Sequence, residues 1–196
     1  MGRVRKLARR VAERIARRVA RHDLFEKPGE RAPTAPLPSD DDAASEEPPL
    51  PEGPPVRLGD LAALLQARAS EGRPVVVHHW ATWCAPCAEE LPRVQALHEA
   101  MGDAGRLVGV SWDLFEAVGA PEQVADDVSE FARDAGITWG SLLITDEPGA
   151  FLEQSGLAFD KIPQSQVYDA AGNLILDVHG ALDDDALAKI HALLGV

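Results

Sequence analysis

The stretch Val77-His78-His79-Trp80-Ala81-Thr82-Trp83-Cys84-Ala85-Pro86-Cys87 decides the fold. Val75 to Trp80 is a short apolar run of the kind a buried strand takes. About residues 84–101 read as a helix, with Leu91, Val94 and Leu97 recurring at threes and fours and Pro92 as a kink point. The chain's two cysteines therefore fall where a strand hands over to a helix. Free amide hydrogens and the positive end of the helix dipole at that point stabilise a thiolate on Cys84 and lower its pKa. Pro86 fits the first turn, where a missing N–H costs little. Cys87 sits one turn along, within reach of a mixed disulfide formed on Cys84. Cys84 is the candidate nucleophile and Cys87 the candidate resolving thiol.

The spacing alone leaves other readings open. A Cys-x-x-Cys pair also serves as half of a zinc site, which needs two further ligands. The nearby candidates, His78 and His79, are neighbours on a strand and point to opposite faces, so both can hardly join the cysteines at one tetrahedral ion. No metal is expected. Two buried, inert cysteines are the third reading. Two are too few for a disulfide-rich scaffold or a four-thiolate site.

Outward from this stretch the pattern is globular from Val56 to the C-terminus. Leu58, Leu61, Leu64 and Leu65 predict a helix over about 59–70. Leu107 to Trp112 reads as a strand, Pro121 opens a helix closing at Gly136, and Trp139 to Thr145 is a further strand. A short helix over 149–155 follows. Val167-Tyr168, the turn 169–173 and Leu174-Ile175-Leu176 predict a hairpin. Asp183 or Asp184 caps a last helix with Leu187, Ile190, Leu193 and Leu194 on its core face. Strands separated by helices, then a hairpin and a helix, describe a three-layer α/β/α sandwich with a mixed central sheet.

Val77 to Cys87 resembles the thioredoxin superfamily motif of an apolar strand followed by Trp-Ala-x-Trp-Cys-x-Pro-Cys. The continuation Ala88-Glu89-Glu90-Leu91-Pro92 is similar to the TlpA/ResA-type thiol-disulfide oxidoreductases. Ile162-Pro163 stands where the superfamily keeps a cis-proline facing the dithiol. The resemblance covers about 56–196. It implies the thioredoxin fold, disulfide exchange, protein dithiol or disulfide substrates, and a redox partner that donates or accepts electrons. It implies no cofactor beyond the redox-active Cys84–Cys87 disulfide. By the same resemblance Pro163 shapes the substrate groove with Ile162, Trp83 and Pro86 flank the nucleophile, and Glu90 is the carboxylate near the active site. One turn after Cys87, Glu90 is placed to relay the resolving thiol's proton, a solvated helix residue being the alternative. The long interval from Cys87 to Pro163 leaves room for the extra helix and strand of the TlpA-like branch.

The chain also departs from the family. His78 stands where thioredoxins place a buried Asp and TlpA-like proteins commonly an Asn, and His79 replaces the usual Phe. One of them is a candidate pH-sensitive base or thiolate stabiliser for Cys87, the alternative being a satisfied core histidine. Gln164-Ser165-Gln166 after Pro163 is more polar than usual. No Pro-x-x-x-Thr-x-x-Cys pattern of a peroxiredoxin is present. His98, His179 and His191 read as solvated surface residues.

The net charge of −13 is an average of two unlike parts. Residues 1–24 hold nine of the 19 basic side chains against two acidic ones, a net of +7, leaving −20 on the rest. Val4, Leu7, Val11, Ile15 and Val19 share one face of a helix over 1–25, with arginines around the remainder. Such a helix suits an anionic membrane surface or an acidic partner; its bland alternative is a solvated or partner-packed helix. The −20 body argues against nucleic acid. Residues 26–55 hold nine of the 15 prolines and few large aliphatics, and read as an extended acidic linker with a reach on the order of 90 Å. With no apolar signal core or membrane span in view, the expected place is the cytoplasm, with peripheral membrane attachment. A second reading of the whole chain is a non-catalytic thioredoxin-like binding module tethered by its Arg-rich helix.

Overall fold

The computed structural model describes residues 56–68, 72–117, 119–155 and 161–196. The basic helix expected over 1–25 and the linker over 26–55 lie outside the described residues. Six strands form one mixed sheet: β1 (Val56–Gly59), β2 (Val75–Trp80), β3 (Arg106–Ser111), β4 (Ser141–Ile144), β5 (Gln164–Tyr168) and β6 (Leu174–His179). Their spatial order is β1-β4-β3-β2-β5-β6. The pairs β1–β4, β4–β3 and β3–β2 are parallel, while β2–β5 and β5–β6 are antiparallel. Five α-helices, α1 (Leu61–Arg68), α2 (Ala85–Met101), α3 (Pro121–Asp134), α4 (Pro148–Ser155) and α5 (Asp184–Leu194), and two short 3-10 turns, Gly102–Ala104 and Asp113–Phe115, complete the described elements. The expected α/β sandwich is what the chain forms.

The alternation of β2 sorts the layers. His78 and Trp80 face α2 and α3, with His78 opposite Glu90 and the Trp80 ring against Phe131 and Trp139. His79 faces the other way, stacked on Trp112, whose ring meets Phe151 of α4 edge-on. α5 joins α2 on the first face, and α1 packs with α4 on the second. Every residue of β2 is buried, as a strand covered on both faces must be. Gly109 in β3 is a packing requirement, because a Cβ there would run into the Trp139 ring and the Ser141 side chain.

Four sequence expectations need correction. Val56–Gly59 is a strand and the helix begins only at Leu61; a four-residue edge strand with Leu58 facing out carries no readable alternation. Leu193 lies on the exposed side of α5, whose core face is Ala186, Ile190 and Leu194. The hairpin arms are longer than expected, because Gln164 to Gln166 are paired polar strand residues. His98 and His191 are half-buried, and burial holds the His98 pKa below the ordinary 6.5. α2 runs through Pro92 and stops at Gly102, whose φ of 45° and amide bond to the His98 carbonyl close the last turn. The α3–β4 unit fills the long interval between Cys87 and Pro163.

Candidate active site

Cys84 and Cys87 are joined in a disulfide, with Cα atoms 5.3 Å apart. Cys84 is the N-cap of α2: its backbone is extended and its Sγ accepts the Cys87 amide hydrogen at 3.3 Å. Pro86 lies in the first turn, so the missing amide hydrogen is one that would have had no helical partner. Cys84 keeps 6% of its surface and Cys87 none. Trp83 beside them is 40% exposed. The Ile162–Pro163 peptide is cis, with Pro163 buried and Ile162 half-buried, and the Pro163 carbonyl accepts the Gly180 amide hydrogen.

The turn ahead of Cys84 is pinned by a residue that sequence reasoning did not single out. The Asp113 carboxylate, two residues past β3, accepts the Thr82 amide hydrogen at 3.1 and 3.2 Å, the Thr82 hydroxyl, and the Ser111 hydroxyl at 2.7 Å. The Trp112 amide adds a bond to the Trp80 carbonyl, and the Cys84 amide closes the turn onto the Ala81 carbonyl. Charge-assisted bonds of this kind fix geometry strongly inside a protein. Asp113's place just past the C-terminal end of a parallel strand was the available signal.

Glu90 is 4% exposed, so its reading as a solvated helix residue is excluded. Burial raises its pKa to about 7, against the opposing pull of the Leu182 N–H, whose nitrogen is 2.7 Å from Oε2, and of Arg93. The Arg93 guanidinium in turn reaches the Leu182 carbonyl at 3.2 Å and Asp184 at 2.9 Å. Oε1 of Glu90 faces Nε2 of His78 at 3.5 Å, and neither atom has another hydrogen-bond partner. His78 Nδ1 is 2.9 Å from the Ser165 hydroxyl, its register partner across β2 and β5.

The second histidine is separated from this cluster by the sheet. His79 Nδ1 accepts the Trp112 indole hydrogen at 3.2 Å, and Nε2 is 3.4 Å from the Gln166 side-chain oxygen. Gln166 and Gln164 both reach Asp177 of β6, and Tyr168 bonds Gln166. Burial lowers both histidines, His78 to about 3 with help from His79 and His79 to about 4, so both are neutral near pH 7. The structure thus brings Cys84, Cys87, Glu90 and His78 to one end of the sheet with Trp83, Pro86, Ile162 and Pro163, and leaves His79 beneath it. Among the described residues no group of three or more His, Cys, Asp or Glu side chains is arranged to hold a metal ion.

A dithiol capping a helix after the central strand of a thioredoxin fold defines a thiol-disulfide oxidoreductase of the TlpA/ResA-like kind. A family model described as the AhpC/TSA family matches residues 29–180, and the chain belongs to that family. Its similarity to the thiol:disulfide interchange protein HelX of Rhodobacter capsulatus is 29% identity over 143 residues, 70% of this chain and 72% of that one. Over 64 residues, 32% of this chain and 29% of the relative, it is 43% identical to the thiol-disulfide oxidoreductase ResA of Oceanobacillus iheyensis. Among solved structures, the DsbF homologue from Corynebacterium diphtheriae superposes with a TM-score of 0.50 at 27% identity, covering 62% of this chain and 72% of that one.

Proposed function

We propose that the protein exchanges disulfides with protein dithiols in two steps, Cys84 attacking and Cys87 resolving. The asymmetry of the pair carries this reading: Cys84 caps the helix and keeps some exposure, while Cys87 is enclosed. In the reducing direction the Cys84 thiolate attacks a substrate disulfide and expels one substrate thiolate. Deprotonated Cys87 then attacks Cys84 Sγ, expels the second substrate thiolate and closes the Cys84–Cys87 disulfide. The two substrate sulfurs leave with the electron pair and take up protons. A redox partner resets the dithiol, and the oxidising direction is the reverse. The electron pair comes from the Cys84 and Cys87 thiols themselves, so this reading calls for no bound cofactor. Trp83, Pro86, Ile162 and Pro163 form the surface on which the substrate chain docks. The test is turnover of a protein disulfide with a thiol donor by the intact dithiol protein; its absence would sink the reading.

Enclosure of Cys87 means that water does not take its proton, and the titratable group one turn along α2 is Glu90. Glu90 is the general base for resolution and the acid for the reverse step. The rate of mixed-disulfide resolution therefore rises with pH through about 7, as Glu90 loses its proton. Glu90→Gln removes that inflection and slows resolution by on the order of 10²-fold. Rapid mixing across pH checks both, and an unchanged profile would exclude Glu90 as the base.

Among the described residues no helix is long and apolar enough to cross a membrane. The +7 segment over 1–24 supports peripheral attachment to an anionic surface on the cytoplasmic side, aliphatic residues entering the interface and arginines meeting head groups. Co-sedimentation with phosphatidylserine vesicles is expected for the full chain and lost when residues 1–24 are deleted. Equal binding of the two would refute the tether.

A further inference from the structure

The two buried histidines differ in what their partners permit. An indole N–H only donates, so Trp112 fixes His79 Nδ1 as an acceptor and leaves the ring hydrogen on Nε2, toward Gln166. A serine hydroxyl both donates and accepts, so Ser165 fixes neither nitrogen of His78. On the other side of that ring, Nε2 faces Glu90 Oε1 across 3.5 Å, a gap that a movement of a few tenths of an ångström brings into hydrogen-bond range. Ser165, His78 and Glu90 are all buried, and neither His78 Nε2 nor Glu90 Oε1 has another hydrogen-bond partner.

Two arrangements leave none of these atoms orphaned. With Glu90 protonated, its O–H donates to His78 Nε2, and His78 Nδ1–H donates to Ser165 Oγ. With Glu90 ionised, Nε2–H donates to the carboxylate, and the Ser165 hydroxyl turns to donate to Nδ1. The trio holds three protons in the first arrangement and two in the second, so one proton is released overall. Keeping the same tautomer across that change would set two lone pairs or two hydrogens against each other in a buried site, which is costly. We propose that Ser165 is a positioning residue for the proton Glu90 exchanges with Cys87, its hydroxyl letting His78 change tautomer as Glu90 gains or loses that proton. This rests on the reading of Glu90 as the proton partner of Cys87.

The charged and titratable groups around the trio are few. Arg93 and Cys87 come from α2, His79 from the far face of β2, and the Leu182 amide from the loop before α5, where Asp184 engages Arg93. None of them replaces the hydroxyl at Nδ1. Ser165→Ala leaves the protonated arrangement with an orphaned buried N–H, a rarer condition than an orphaned acceptor, so Glu90 gives up its proton more readily.

The full oxidised chain, labelled with 15N, tests this by the shifts of the histidine ring nitrogens, since protonated and unprotonated nitrogens resonate far apart. His78 is expected as Nδ1–H below the Glu90 midpoint and Nε2–H above it, while His79 stays Nε2–H throughout. Ser165→Ala is expected to lower that midpoint, and the inflection of the resolution rate, by one pH unit or more, a tenfold change in the acid constant. Ser165→Thr restores the hydroxyl and the wild-type midpoint. A single His78 tautomer on both sides of the midpoint in the unmodified protein overturns the proposal, whether or not the alanine variant folds. So does a Ser165→Ala midpoint equal to wild type. The nitrogen shifts need no turnover, so this result stands apart from failure of the exchange reading itself.

Discussion

Cys84→Ser is expected to bring disulfide exchange down to the background of free thiol, a loss of at least ~10³-fold, while the folded structure persists. A serine hydroxyl stays protonated near neutral pH, so neither helix dipole nor amide hydrogens produce a nucleophile from it. Cys87→Ser has a different signature. Cys84, freed from its disulfide partner, still sits at the helix N-cap with Pro86 in the first turn and still attacks. Nothing then resolves the product, and a one-to-one mixed disulfide accumulates that mass spectrometry detects. The asymmetry of exposure predicts which cysteine is trapped: an adduct forming on Cys87 in the Cys84→Ser protein as fast as on Cys84 in the Cys87→Ser protein would overturn the assignment of roles. Both variants lose the Cys84–Cys87 cross-link, which closes a very short loop, so the stability change is small beside the loss of activity.

A second large effect is acid lability from the paired histidines in β2. Their folded pKa values, about 3 and about 4, lie below the ordinary 6.5 because burial opposes the imidazolium. Depressed values mean that the stability they contribute is complete above 6.5 and is lost as pH falls toward the folded values, since the unfolded chain binds protons first. Each histidine accounts for on the order of 3–5 kcal/mol over that range, against a total stability of about 5–15 kcal/mol for a domain. Glu90 acts in the opposite sense. Raised from 4.5 to about 7, it stabilises the fold fully below 4.5 and loses that contribution as pH rises through 7. Between about 4.5 and 6.5 the balance is two histidines against one carboxyl, and stability falls by ~1.4 kcal/mol per pH unit on acidification. Below 4.5 Glu90 no longer offsets them, and the slope steepens. Urea unfolding across pH is therefore expected to show greatest stability near pH 6.5. His79→Phe leaves one histidine against Glu90 and flattens the 4.5–6.5 interval, even though the bonds to Trp112 and Gln166 are lost and the absolute stability drops. A wild-type curve flat from pH 7 to 4 would mean that the histidines charge within the fold.

Near the dithiol the sequence was most legible where the chemistry is local. A proline in the first turn, a cysteine able to cap, and apolar spacing from Cys87 to Met101 are properties of neighbouring residues, so the reactive pair and its helix could be read directly. The alternation of β2 likewise placed His78 and His79 on opposite faces, and the structure keeps them there. β1 escaped because four residues at a sheet edge gain their order from β4, 85 positions away, and not from their own pattern. Asp113 and Ser165 escaped for the same reason: an aspartate after a strand and a serine within one are common, and only the partners across the fold give them meaning.

By itself, then, the sequence determined that Cys84 and Cys87 start a helix behind a buried strand, since helix dipole, capping and proline tolerance act within one turn. Tertiary structure alone decided the protonation of that site. Glu90 is a carboxylate on a helix like any other until Leu182, His78 and the sheet enclose it, and His78 is a core histidine until Glu90 and Ser165 stand at its two nitrogens. Burial and the placement of distant partners set the cost of charge, and neither is written in the spacing of residues along the chain.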